Sequence, residues 1–173
     1  QLSTLASSIL ARNEGKLNKV VGLEKAIEIS NNLRKQGKSI VLAGGCFDIL
    51  HKGHLVYLEH AKRQGDVLFV ALESDENTKM LKGKNRPVNT QKKRAHTLAV
   101  LNIIDYVVLL PPLISVSAYF QMTQNLSPEV IAITKGDPKM EEKEKQASLV
   151  GGRVVTVTKR LKEYSTSAIV KRK

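Results

Sequence analysis

Tryptophan is absent from these 173 residues, aromatic side chains make up only 4% of them, and there is a single cysteine, Cys46. One thiol cannot close an internal disulfide, so an ordinary core must hold the fold, and the reducing cytoplasm is the expected setting. Cys46 has no evident activating arrangement and reads as a small buried side chain rather than a nucleophile. No apolar run approaches the roughly 20 residues that span a bilayer, and no charged, apolar, small-residue leader opens the sequence, so a water-soluble protein is expected. Acidic side chains are scarce too, 16 against 28 Lys and Arg, for a net charge of +12. Such an excess calls for an anionic partner: nucleic acid, an anionic membrane or a phosphorylated small molecule. The few aromatics count against nucleic acid, because stacking on bases needs them among the basic residues.

What is present is a 42% hydrophobic content and a length suited to one domain with a real core. Apolar runs alternate with amphipathic stretches. The pattern predicts strands over 39–43, 67–72, 106–110, 130–133 and 154–157, and helices over 23–36, 51–63, 75–80, 91–101, 116–125 and 141–149. That alternation predicts an α/β fold, a Rossmann-like doubly wound parallel sheet whose ligand lies beyond the carboxyl ends of the strands. Residues 1–20 lack periodicity and are expected to be an arm or the tail of a preceding segment, with the domain over 21–173.

The stretch Gly44-Gly45-Cys46-Phe47-Asp48-Ile49-Leu50-His51-Lys52-Gly53-His54 follows the first apolar strand. The glycine pair is expected to turn the backbone where it leaves the sheet. His51 and His54 then share one face at a helix start, where free amides and the helix dipole favour an anion. A capping or surface role is the bland reading of such a pair, and zinc ligation the other, but no third ligand lies at matched spacing. The order strand, glycines, histidines, helix is what a nucleotide-binding βα junction requires. Farther on, Lys79, Lys82, Lys84, Arg86, Lys92, Lys93 and Arg94 form a stretch with no acidic residue, expected as a loop around Gly83 and Pro87 that suits a triphosphate. A solvated basic face is its alternative. The carboxyl ends of the other strands carry Glu73-Ser74-Asp75, Lys135-Gly136-Asp137, and Arg160 through Ser167, with Tyr164-Ser165-Thr166-Ser167 readable as a hydroxyl-rich helix cap.

Gly45-Cys46-Phe47-Asp48 with His51-Lys52-Gly53-His54 resembles the signature of the HxGH, cytidylyltransferase-like nucleotidyltransferases. Within them it is similar to bacterial D-glycero-β-D-manno-heptose 1-phosphate adenylyltransferases. Tyr57-Leu58-Glu59, Ala61, Gly65-Asp66, Ser74-Asp75, Leu81-Lys82-Gly83, Arg86-Pro87-Val88-Asn89 and Asp105-Tyr106-Val107-Val108 extend the likeness over roughly 21–170. It implies attack by a phosphate oxygen of a sugar 1-phosphate on the α-phosphorus of a nucleoside triphosphate, with release of pyrophosphate. His51 and His54 would stabilise the developing charge, with Lys82 and Arg160 as mobile clamps. Gly45, Cys46, Phe47, Gly53, Gly136, Asp137, Tyr164, Ser165 and Thr166 would bind the nucleotide, and Mg²⁺ would bridge its phosphates. Arg86 and Arg94 are assigned to substrate, Arg94 to a nucleotide or acceptor phosphate or else to a surface helix position. Asp48 would orient the turn or contact the acceptor; Asp137 would touch base or ribose or serve the turn. A homodimer is implied. Lys135-Gly136-Asp137-Pro138 and Lys52 depart from the heptose pattern. That leaves CTP beside ATP, and another sugar phosphate, glycerol phosphate or FMN beside heptose 1-phosphate. A basic nucleic-acid-binding or regulatory module without catalysis is the reading from another class.

Overall fold

The computed structural model describes residues 15–16, 18–113 and 115–159. Six strands form one wholly parallel sheet: β1 (Val20–Gly22), β2 (Ile40–Gly45), β3 (Val67–Leu72), β4 (Tyr106–Leu109), β5 (Val130–Lys135) and β6 (Arg153–Lys159), in the order β1-β4-β3-β2-β5-β6. The helices are α1 (Leu23–Lys35), α2 (Lys52–Lys62), α3 (Asp75–Lys82), α4 (Gln91–Ala99), α5 (Val116–Leu126) and α6 (Met140–Leu149). The expected α/β doubly wound sheet is therefore observed, with one addition. β1, three residues pairing with β4 at the sheet edge, is too short to show an alternating pattern and was not expected.

The central strands are buried on both faces, which explains their continuous apolar runs. Val41, Ala43, Leu68, Val70 and Leu72 pack under Tyr57, Leu58 and Ala61 of α2 and Ala95, Leu98 and Ala99 of α4. On the other face Ile40, Leu42, Phe69 and Ala71 meet Ala26 of α1 and Met122 and Leu126 of α5. Each large apolar side chain buried in this way contributes about 1.5–3 kcal/mol. The amino ends of the central strands are pinned by carboxylates. Asp66 accepts from the Ser39 amide and hydroxyl, both at 2.8 Å, Glu129 from the Ile40 amide at 2.6 Å, and Asp105 from the Leu68 amide at 2.7 Å.

This pinning fixes the register, and with it the height at which each strand ends. After β2 the chain winds outward through β3 to β4, then returns to the opposite side of β2 for β5 and β6. The order thus reverses between β2 and β5, and a crevice opens beyond their carboxyl ends.

Candidate active site

Gly44 and Gly45 do not form the turn expected of them. Both stay in β2, paired with Ala71 and Leu72, and the backbone turns at Phe47, which adopts a left-handed φ of 44°. A left-handed phenylalanine costs on the order of 1–3 kcal/mol. Burial of its ring, 5% exposed and packed over Gly45, offsets this. A Cβ on Gly45 would sit 2.8 Å from Phe47 Cε2, so glycine is needed there for close approach. The ring goes on to meet His54 at 5.1 Å and Tyr57 at 6.5 Å between centroids.

His51 is the N-cap of α2, in an extended conformation, and its carbonyl accepts from the amides of His54 (2.9 Å) and Leu55 (3.2 Å). The two imidazoles stack with centroids 3.7 Å apart and planes 22° from parallel. Two protonated rings at that separation would repel, and burial disfavours charge on either. Burial lowers His51. It also takes His54 down to about 3, helped by the neighbouring His51 and Lys82. The His51 amide donates to His54 Nδ1 at 3.4 Å, which leaves the His54 proton on Nε2. The site therefore offers neutral imidazole donors that do not repel the lysine beside them.

These groups line a cavity of about 320 Å³. Of the residues singled out from sequence, Gly45, Cys46, Phe47, Asp48, His51, Gly53, His54, Lys82, Arg86, Gly136 and Asp137 all reach its wall. Arg160, Tyr164, Ser165 and Thr166 lie outside the described residues; Thr158 and Lys159, at the end of β6, line the cavity. Tyr57, Thr134 and Pro138 complete the wall. Tyr57 donates to the Ala132 carbonyl at 2.8 Å and ties α2 to β5; a tyrosine within an apolar helix face carried no signal of that pairing. The basic stretch is not one loop: Lys79 and Lys82 belong to α3, Lys92, Lys93 and Arg94 to α4, and only Lys84 and Arg86 to the connection.

Of the two roles open to Asp48, orientation is the one its contacts serve. Its carboxylate accepts from Arg86 Nε (2.6 Å) and the amides of Val88 (2.8 Å) and Asn89 (2.9 Å), and its carbonyl accepts from Asn89 Nδ2 (2.8 Å). Burial acts to raise this carboxyl, but the two amides and the Arg86 guanidinium outweigh it and hold it below the usual range. Arg86 is thereby presented to the cavity by a fixed anion. Asp137 is similarly engaged, accepting from the Lys139 amide at 2.8 Å and Lys143 Nζ at 2.7 Å.

Arg94 corrects the expectation. It is neither a surface residue nor a wall of the cavity, but is 1% exposed beneath it. It donates to the Cys46 carbonyl, the Asn89 carbonyl (3.0 Å) and Asp75 Oδ1 (2.7 Å). It joins the turn after β2 to the Arg86 connection and the start of α3.

The shifted histidines make stability depend on pH. His54 is neutral in the fold down to about 3, whereas an unfolded histidine takes up a proton near 6.5. The unfolded chain thus binds more protons below pH 6.5, and stability falls as pH drops from there toward 3. His51 adds to this with the same sign. Asp48, being lowered, adds its loss only below the ordinary carboxylate range. Urea midpoints measured from pH 7 to 4.5 are expected to decline, and the His54→Gln variant to flatten the decline by up to about 1.4 kcal/mol per pH unit.

The cytidylyltransferase-like family pattern matches residues 42–172. The bifunctional protein HldE of Helicobacter pylori (strain Shi470) is 39% identical over 158 residues, covering 89% of this chain and 31% of its own length. HldE of a Nitratiruptor species is 40% identical over 148 residues, covering 83% and 29%. The chain thus spans about a third of the length of these relatives. The lipopolysaccharide core biosynthesis protein of Thermoplasma volcanium superposes with a TM-score of 0.56 at 26% identity, covering 70% of this chain and 96% of that one. Pantoate-beta-alanine ligase of Francisella tularensis, with a TM-score of 0.64 at 15% identity over 88% of this chain and 73% of its own, shares the fold. With the family match spanning most of the chain and the histidine pair seated where β2 opens into the crevice, this chain belongs to the cytidylyltransferase-like family of nucleotidyltransferases.

Proposed function

We propose that the chain transfers AMP from ATP to a sugar 1-phosphate, heptose 1-phosphate in the first instance, forming ADP-heptose for the lipopolysaccharide core and releasing pyrophosphate. The observation that carries this reading is the stacked, neutral His51–His54 pair at the start of α2, facing a cavity that also holds Lys82 and Arg86. A phosphate oxygen of the acceptor forms the new bond to the α-phosphorus while the bond from that phosphorus to the bridging oxygen breaks and its electrons leave with pyrophosphate. No protein nucleophile is needed, and burial pushes the Cys46 thiol up, away from the reactive thiolate. Displacement of this kind depends on positioning and charge stabilisation, which donors and cations supply.

In this reading the imidazole N–H groups and the first amides of α2 take the phosphates, and Lys82 and Arg86 neutralise charge as it moves to the leaving group. Arg160, Tyr164, Ser165 and Thr166 are proposed for the outer phosphates on the strength of the resemblance alone. The charged and imidazole donors at the wall are His51, His54, Lys82, Arg86 and Lys159, and its two carboxylates are already engaged, Asp48 by Arg86 and two amides and Asp137 by the Lys139 amide and Lys143. This set suits Mg²⁺ held by the nucleotide's own phosphate oxygens, where it would offset their charge and fix their geometry. The relatives' names, a lipopolysaccharide core biosynthesis protein among them, support a sugar acceptor. No helix among the described residues is long and apolar enough to cross a membrane. A cytoplasmic homodimer belongs to the same proposal, the dimer being read by light scattering of the purified chain.

Incubation of the purified chain with Mg²⁺, each of ATP, CTP, GTP and UTP, and a panel of sugar phosphates, glycerol phosphate and FMN tests the proposal. ATP with a sugar 1-phosphate is expected to give the fastest pyrophosphate release. A best pair of CTP with glycerol phosphate, or of ATP with FMN, would replace the acceptor assignment. Silence across the panel, together with oligonucleotide binding of steep salt dependence, would favour the basic module instead.

A further inference from the structure

On the other face of the sheet lies a second cavity, of about 380 Å³, whose floor is formed by Leu42, Ala71 and Ile131. Glu73, the first residue after β3, lines it. Its carboxylate is braced from α3 and α5. The Tyr119 hydroxyl donates to it, 3.0 and 2.9 Å from the two oxygens, and Asn77 Nδ2 donates to Oε2 at 3.2 Å. Asn77 Nδ2 is also 2.8 Å from the Tyr119 hydroxyl and 3.1 Å from the Leu113 carbonyl, which locks the three side chains together. Burial and the charge of Glu73 push the Tyr119 phenol far above its ordinary range, so it remains a donor. A carboxylate has room for about four donors, so this one retains capacity toward the cavity.

The nucleotidyl-transfer chemistry above makes no use of this group, whose remaining acceptor capacity faces a cavity also lined by Lys82, Lys139 and Lys143. Both cavities are lined by Gly44, Gly45, Cys46 and Lys82. A molecule in the second can therefore extend an anionic end past β2 to Lys82 and the nucleotide. We propose that the second cavity holds the polyhydroxylated part of the phosphorylated acceptor, and that Glu73, positioned by Tyr119 and Asn77, accepts its hydroxyls and sets acceptor specificity. This inference rests on the nucleotidyl-transfer reading. Two carboxylate oxygens side by side match a pair of neighbouring hydroxyls.

The test is steady-state kinetics of the Glu73→Gln and Tyr119→Phe variants with Mg²⁺, ATP and the best sugar 1-phosphate of the panel. Glu73→Gln keeps the shape of the side chain and removes its charge. It is expected to raise the KM for the sugar phosphate about 10- to 100-fold and leave the KM for ATP unchanged; Tyr119→Phe gives a smaller rise of the same kind. A deoxy sugar phosphate lacking a contacted hydroxyl is expected to bind the wild type more weakly and Glu73→Gln no more weakly than the parent sugar. An unchanged KM for the sugar phosphate, or an equal rise for ATP, overturns the assignment. Should the wild type release no pyrophosphate from any pair, the catalytic reading has failed, and binding of the sugar 1-phosphates followed by saturation-transfer NMR decides the cavity alone. Transfer seen with the wild type and lost in Glu73→Gln supports the proposal, while equal transfer, or none to the wild type, overturns it.

Discussion

Replacing His51 or His54 with alanine is expected to lower the rate of pyrophosphate release about 10²–10³-fold, the usual cost of deleting one preorganised donor to a developing oxyanion. Each imidazole is held by more than its own backbone: the rings stack on one another, and His54 also packs on Phe47 and accepts the His51 amide. Because they are neutral before the nucleotide arrives, binding need not displace a bound anion, and the incoming phosphates raise the proton affinity of the pair as charge builds. The double variant should lose little more than the worse single one, because the two act on the same phosphates as a unit. Far-ultraviolet circular dichroism is expected to match the wild type, since neither ring belongs to the fully buried core. A rate within threefold of wild type for His54→Ala, against the roughly 100-fold or greater loss expected, would remove the pair from the chemistry and leave it as packing for the turn.

Arg94→Met is expected to be the most destabilising single change near the site, by about 2–4 kcal/mol, and to lower activity although the side chain is buried beneath the cavity and not part of its wall. The guanidinium is fully buried and satisfies two main-chain carbonyls, that of Cys46 in a buried contact and that of Asn89 in a partly buried one. Its third partner, Asp75, is 41% exposed, so solvent screens that ion pair and the cost is set by the carbonyls. For a domain of this size the loss corresponds to a fall in Tm of roughly 5–15 °C. Arg94→Lys should rescue little of it, since an ammonium cannot reach three partners in one planar fork. The reading fails if Arg94→Lys melts with the wild type, because a point charge would then suffice.

The His51–His54 pair was legible from its context, a strand, a glycine pair and a helix start in that order, although His51 stands at the extended N-cap of the helix rather than within it. The central strands were legible because a strand buried on both faces must be apolar throughout, as 67–72 is. Arg94 was not. A basic residue in a basic stretch gives no sign of whether it faces solvent or core, and its burial follows from where α4 docks beneath the turn after β2. Phe47 was hidden too, since a left-handed conformation at a non-glycine residue is imposed by the packing of its ring over Gly45. The bracing of Glu73 joins residues 46 positions apart, beyond the reach of any local pattern.

The sequence by itself determined the class of fold, the strand that leads into the site and the imidazole pair at its edge. These depend on periodicity and on the order of strand, glycines, histidines and helix, which act within a few residues. Only the tertiary structure decided which of the basic side chains meet at the cavity, that Asp48 is spent on holding Arg86, that Arg94 supports the site from below, and that a second cavity opens behind Gly44. Each of these depends on which elements pack together and at what register, and burial then sets the charge state and partners of every group brought inside.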